Sequence, residues 1–134
     1  MLLVASATFG NDFTTGLVAY YPFDGNASDM SGNGNHGTVN GATLGTDRHG
    51  ATEKAYVFDG TDDYLNTPHH SSLNIPGGLT LSAWVKTDSN SGSAYMIDKG
   101  DGESNSQDFL IGRNGSKFNY FWRSSPSTHG GAAT

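Results

Sequence analysis

Between residues 79 and 86 the chain reads Leu-Thr-Leu-Ser-Ala-Trp-Val-Lys, with an apolar residue at every second position. In an extended strand Leu79, Leu81, Ala83 and Val85 fall on one face, and Thr80, Ser82, Trp84 and Lys86 on the other. No segment carries a comparable 3.6-residue period, so the core has to be built from sheets rather than helices. Shorter runs of the same kind recur at 17–23, 55–58, 64–65, 95–97, 109–112 and 118–123. Pro22 cannot donate to a ladder, which puts the end of the first run at a sheet edge. Asp24-Gly25, Asp59-Gly60 and Asn114-Gly115 punctuate these runs, and the last pair signals a tight hairpin. With 19 glycines in 134 residues there are turn formers for many short strands. One all-β antiparallel domain, a sandwich or barrel, is the expectation.

Charge narrows the partners. The net charge is −6 and the seven Lys and Arg residues form no cluster, which argues against nucleic acid and anionic membrane. With no cysteine there is neither a disulfide nor a thiol nucleophile. Residues 1–7 (MLLVASA) end in the Ala-x-Ala pattern that a signal peptidase cuts after, here Ala7, although no basic region precedes them. Residues 1–15 therefore read as a signal-peptide remnant or an extended N-terminal segment, ahead of a domain at 16–134. No run is long enough to cross a bilayer.

The loop DMSGNGNHG, residues 29–37, sets side-chain oxygens at Asp29, Ser31, Asn33 and Asn35 among three glycines. Hard oxygen donors in a pliable loop suit calcium. Asp29 is the best ligand, Asn33 and Asn35 come next, and Asp24 or Asp59 stands at a strand end as a second carboxylate. The same residues equally make an asparagine-glycine turn capped by its own side chains. No glutamate occupies the twelfth position (it is Asn40), so the loop is not an EF-hand. A second acidic loop holds Asp98 and Asp101, at the rim of the fold, for a cation or for ligand hydroxyls.

Catalysis finds little support. A glycosidase needs two carboxyl groups about 5 Å apart or somewhat more across a sugar bond. The two glutamates, Glu53 and Glu103, are fifty residues apart in sequence. His69 and His70 are adjacent and would face opposite ways on a strand. Sugar binding needs aromatic faces, and Trp84, Tyr120 and Trp122 are the candidates. Phe118, Tyr120 and Trp122 share one side of their strand, a ridge expected more as core than as platform. Asn26-Ala27-Ser28 and Asn114-Gly115-Ser116 are glycosylation sequons, with Asn26 and Asn114 as acceptors.

Taken in order, GLVAYYPFDGNASDMSGNGNHGTVNGATL, AYVFDGTDDYLN, LTLSAWVK, IDKGD and FLIGRNGSKFNYFW resemble the laminin-G-like domains of the concanavalin A-like lectin and glucanase superfamily. The resemblance covers about residues 16–123 and implies a jelly-roll β-sandwich. It also implies one calcium near the Asp29 loop. Such domains usually continue into strands resembling WHHVAATYDG and LYVDG, which do not follow here, so the domain reads as incomplete at its C-terminus. The function implied is a secreted or cell-surface module for binding or adhesion. It is non-catalytic and calcium-assisted, with glycan the leading ligand class and an extracellular protein the other. The alternative is a structural subunit that assembles through unpaired sheet edges.

Overall fold

The structure, a computed structural model, describes residues 2–6, 14–75, 77–88, 91–100 and 109–122, with the backbone alone at 2–6 and 122. Ten strands follow in chain order: β1 (Leu2–Ser6), β2 (Leu17–Tyr21), β3 (Thr38–Asn40), β4 (Thr43–Gly45), β5 (Ala55–Val57), β6 (Tyr64–Asn66), β7 (Leu79–Ala83), β8 (Ser93–Lys99), β9 (Phe109–Asn114) and β10 (Lys117–Trp122). Every pairing is antiparallel. Among the described residues the helical content is one 3-10 turn, Ser71–Leu73. The expected all-β antiparallel class, that of a concanavalin A-like jelly roll, holds.

The chain divides into two compact units. The first, residues 1–73 and 78–84, holds the three-stranded sheet β2-β1-β7 and the pairs β3-β6 and β4-β5. β1 is the middle strand, with Val4 opposite Ala19 on one side and Leu81 on the other. The run that looks signal-like in sequence thus forms a ladder strand here. A cut after Ala7 would remove it and leave β2 and β7 without their common partner. β2 is an outer strand, and Pro22 lies just past its end. β7 stops three residues short of the alternating pattern, because its ladder ends where Ala83 meets Leu2.

Ala19 and Tyr21 alternate inward from β2 and are buried with Ala27 and Ala42. Tyr21 stacks on Phe23 at 6.1 Å, and Phe23 meets Tyr56 edge-on at 5.2 Å. These contacts hold Phe23 in the left-handed region at φ 61°, a conformation that costs a non-glycine residue about 1–3 kcal/mol. Gly37 has to be glycine, because a Cβ there would lie 2.6 Å from Leu65 Cδ2 and 3.1 Å from Ala27 Cβ.

The second unit, residues 74–77 and 85–134, contains the sheet β10-β9-β8. β9 and β10 form the expected hairpin, but the turn is displaced by one residue. Asn114 pairs with Lys117, so Gly115 and Ser116 are the central residues, with Gly115 at φ 61°. Positive φ at the first central position alone is the type II′ arrangement, which needs glycine there and not asparagine. In β8 the register slips between Tyr95 and Ile97. Tyr95 then faces Gly112 and Asp98 faces Leu110, so one extra residue puts Tyr95 and Asp98 on the same side of the sheet.

Candidate functional site

The Asp29 loop folds back along β2. Asp29 is 5% exposed and Asn35 2%, in a part of the chain with little apolar bulk. The Asp29 carboxylate meets four donors. Oδ1 accepts from the backbone N–H of Tyr20 at 2.9 Å and of Ser31 at 2.8 Å. Oδ2 accepts from the N–H of Asn35 at 2.9 Å and from the Ser31 hydroxyl at 2.8 Å. Burial raises its pKa, but the bonds from Tyr20, Ser31 and Asn35 outweigh that and leave it below the ordinary 3.8. The charge is held by dipoles, with no cationic side chain paired to it among the described residues.

The two asparagines turn their amide nitrogens inward. Asn33 Nδ2 donates to the carbonyls of Leu17 and Val18 at 2.9 and 3.1 Å. Asn35 Nδ2 donates to the Val18 carbonyl and to Ser72 Oγ, both at 2.9 Å. Tyr21 Oη donates to the Asn35 carbonyl at 2.5 Å, and the Asp29 N–H donates to His36 Nδ1 at 3.1 Å. Burial raises the Tyr21 pKa, a bond to Thr67 lowers it, and the nearby Asp29 charge raises it again, for a net increase.

This donor set does not fit a calcium ion. A carboxylate offers about four lone-pair directions, and those of Asp29 are occupied. Asn33 and Asn35 both turn amide N–H groups toward the Val18 carbonyl. Nor do the other two carboxylates join the loop's bonds. Asp24 is exposed and pairs with Lys54 Nζ at 2.9 Å. Asp59 gathers with Asp62 and Asp63, one oxygen of each lying within 4.8 Å of the others. There Asp59 Oδ1 accepts from the Thr61 N–H and Asp63 Oδ2 from the Asp59 N–H, each at 2.8 Å, as in a capped turn. The residues proposed together as ligands are thus divided among a buried brace, a surface ion pair and an acidic turn.

The aromatic candidates differ in setting. Trp84 is exposed, and the Arg48 guanidinium lies 4.1 Å from its ring centroid, covering one face. Phe118 is 60% exposed and Tyr120 54%, so the ridge expected as core is open at these two positions. Trp122 ends β10, with its side chain outside the described residues, and Asp101 lies outside them altogether. Asp98 is exposed in β8 on the side that carries Tyr95. Tyr95 is 74% exposed and was not singled out by its sequence. A Cβ on Gly112 would lie 3.4 Å from the Tyr95 ring, so the ring rests across the glycine. Asn119 stands on the far side of Gly112 in the same row.

Arg113 was also missed. It follows Phe109 and Ile111 at every second position of β9, and a charge in an otherwise apolar alternation was the available signal. Asn26 is exposed, its Oδ1 accepting from the Ser28 N–H at 2.8 Å, and Asn114 is exposed at the end of β9. Glu53 is an exposed turn residue at φ 58°, and Glu103 lies outside the described residues. Ser72 Oγ lies 2.8 Å from His70 Nδ1, but that nitrogen faces the Ser72 N–H at 3.3 Å and caps the 3-10 turn.

Residues 59–134, more than half the chain, match the laminin-G model described as the concanavalin A-like lectin/glucanases superfamily. The Asp29 loop precedes the matched span. No curated protein and no solved structure matches significantly. No helix among the described residues is long and apolar enough to cross a membrane. On the matched family and the antiparallel sheets, the chain belongs to the concanavalin A-like lectin/glucanases superfamily as a laminin-G-like domain.

Proposed function

We propose that this protein is a non-catalytic binding or adhesion module of the cell surface or extracellular space, with glycan as its ligand class. The observation that carries this reading is the sheet β10-β9-β8, which opens Phe118 and Tyr120 to solvent on one face and Tyr95 on the other. Flat aromatic faces stack on the apolar faces of sugar rings, and Asn119 and Asp98 stand on the Tyr95 face as groups that can bond to hydroxyls. Superfamily membership supports a binding module. Glucanase chemistry is disfavoured, because two of the three carboxylates that gather among the described residues, Asp59 and Asp63, are turn acceptors.

In this reading the Asp29 loop is a structural brace, and sugar binding does not pass through calcium there. A glycan array probed with the full chain, with and without chelator, tests both halves. Retention that survives chelator is expected. Retention on no glycan removes the ligand class, and retention abolished by chelator restores the metal to the binding step.

The alternative, assembly through open edges, draws on one observation. The outer edge of β10 pairs with no strand among the described residues. Light scattering separates the readings: large regular particles favour assembly, and a strictly monomeric sample removes it.

A further inference from the structure

Asn33, Asn40 and Asn114 are each followed directly by glycine. Glycine carries no side chain to shield its backbone nitrogen, so in such a pair that nitrogen can reach the amide carbon of the asparagine before it. Attack needs both groups free to meet at bonding distance. In sequence the three pairs are equivalent, but the fold treats each differently.

At Asn33 the leaving nitrogen is held. Nδ2 donates to the carbonyls of Leu17 and Val18 and to Ser31 Oγ, at 2.9, 3.1 and 3.1 Å. At Asn114 the attacking nitrogen is held. The Gly115 N–H donates to the Gly92 carbonyl at 2.8 Å, and the Gly115 carbonyl accepts from Arg113 Nη1, also at 2.8 Å. Asn114 is besides paired on both sides, with Lys117 and with Ser93. Asn40 is looser. Its one side-chain hydrogen bond among the described residues runs from Nδ2 to the Thr38 carbonyl at 3.4 Å, beyond the usual range. The β3–β6 ladder ends at the Asn40–Tyr64 rung, so Gly41 lies outside it, at φ 79°. Glycine is imposed at 41, because a Cβ there would run into Asp63 Oδ1. The fold thus requires a reactive pair at this place and leaves its side chain unfastened.

We propose that Asn40-Gly41 is a self-modification site, where the folded chain deamidates, and that the carboxylate formed weakens the β3–β6 pair. The Gly41 nitrogen gives its proton to solvent base and bonds to Asn40 Cγ, while the Cγ–Nδ2 bond breaks and ammonia leaves. Water then opens the five-membered imide. Cleavage of its Cγ–N bond yields aspartate. Cleavage at the main-chain carbonyl carbon of residue 40 yields isoaspartate, with one extra carbon in the backbone. Water is consumed, ammonia is released, and nothing is oxidised or reduced. Either product sets a new negative charge beside Asp63, which already gathers with Asp59 and Asp62. Isoaspartate also lengthens the backbone next to the buried Ala42. The site is independent of the glycan reading.

The full chain, held in mildly alkaline buffer and digested at intervals, tests this by mass spectrometry of the three Asn-Gly peptides. Asn40 should deamidate at least about tenfold faster than Asn33 or Asn114, whose hydrogen bonds must first open. In urea, where the fold no longer holds any of them, the three rates should converge. If Asn33 or Asn114 keeps pace with Asn40 in the folded chain, the proposal fails. A ranking that persists unchanged in urea also overturns it, since sequence alone would then set the rates. Asn40→Asp installs the product charge and should raise the unfolding equilibrium constant about twofold or more, seen as a lower urea midpoint. An unchanged midpoint overturns the weakening of β3–β6.

Discussion

The backbone N–H of Asn35 ends on the Asp29 carboxylate at 2.9 Å, closing the loop around a buried negative charge. Six residues separate the two in sequence, and the loop between them holds Gly32 and Gly34 at positive φ. Tyr20 reaches the same carboxylate from β2, so one side chain fixes both the loop and its place on the strand.

Replacing Asp29 with Asn should therefore unfasten that corner. The amide keeps the shape but turns an NH2 toward backbone N–H groups that need an acceptor. A loss of about 2–4 kcal/mol is expected from buried donors left unsatisfied at a formerly charged site. Urea unfolding midpoints of wild type and variant check this, and an unchanged midpoint refutes it.

The same carboxylate sets an acid limit. Its pKa is lower folded than the ordinary 3.8, so the folded state binds fewer protons than the unfolded chain. The stabilisation is complete above 3.8 and is lost as the pH falls from there through the lower folded value. Wild-type stability should drop across that window, and Asp29→Asn should flatten the drop. Parallel slopes in the two proteins would contradict the assignment.

Calcium should do little to the first unit. An ion present at 100 times its dissociation constant would add about 2.7 kcal/mol to stability and raise the melting temperature by several degrees. Millimolar calcium is expected to leave the melting temperature within about one degree. A rise of about five degrees or more that Asp29→Asn abolishes would show that the loop opens to take the ion.

Gly37 tests the fit of the loop against β6. A methyl group there meets Leu65 Cδ2 at 2.6 Å and the Ala27 carbonyl at 3.2 Å. Gly37→Ala should destabilise by about 1–3 kcal/mol through overpacking, whereas Gly34→Ala meets nothing within 4 Å and is strained only by its positive φ. Denaturation midpoints that rank the two variants the other way would show that the loop tolerates bulk at Gly37.

Much of the fold was legible because the apolar alternation at 79–83 and the apolar run at 109–112 mark strands, and Asp-Gly and Asn-Gly pairs mark where strands must stop. β3 and β4, each three residues long, carry too short a pattern to read. β1 was masked by its likeness to an export signal, since a central strand and a short apolar leader share one composition. The hairpin turn shifted by one residue because the Asn114–Lys117 pairing fixed the register.

The loop is the instructive case. Its oxygens were visible in sequence, but whether they face an ion or the protein depends on which backbone groups lie within reach. Those groups, at Leu17, Val18 and Tyr20, come from a strand nine or more residues away. Tyr95 and Asp98 would face opposite ways at their spacing of three, and only the slip near Met96 aligns them. Arg113 left a trace, a lone charge in an apolar alternation, but its burial in β9 follows only from the fold.

One comparison decides where ligand recognition resides: glycan-array retention of the wild-type chain against Asp29→Asn and against a variant with Tyr95, Phe118 and Tyr120 all changed to Ala, under calcium and under chelator. Retention should fall about tenfold or more in the aromatic variant, and be unaffected by chelator or, while the chain stays folded, by Asp29→Asn. Full retention by the aromatic variant, with loss on chelation or in Asp29→Asn, would contradict this and place recognition at the loop.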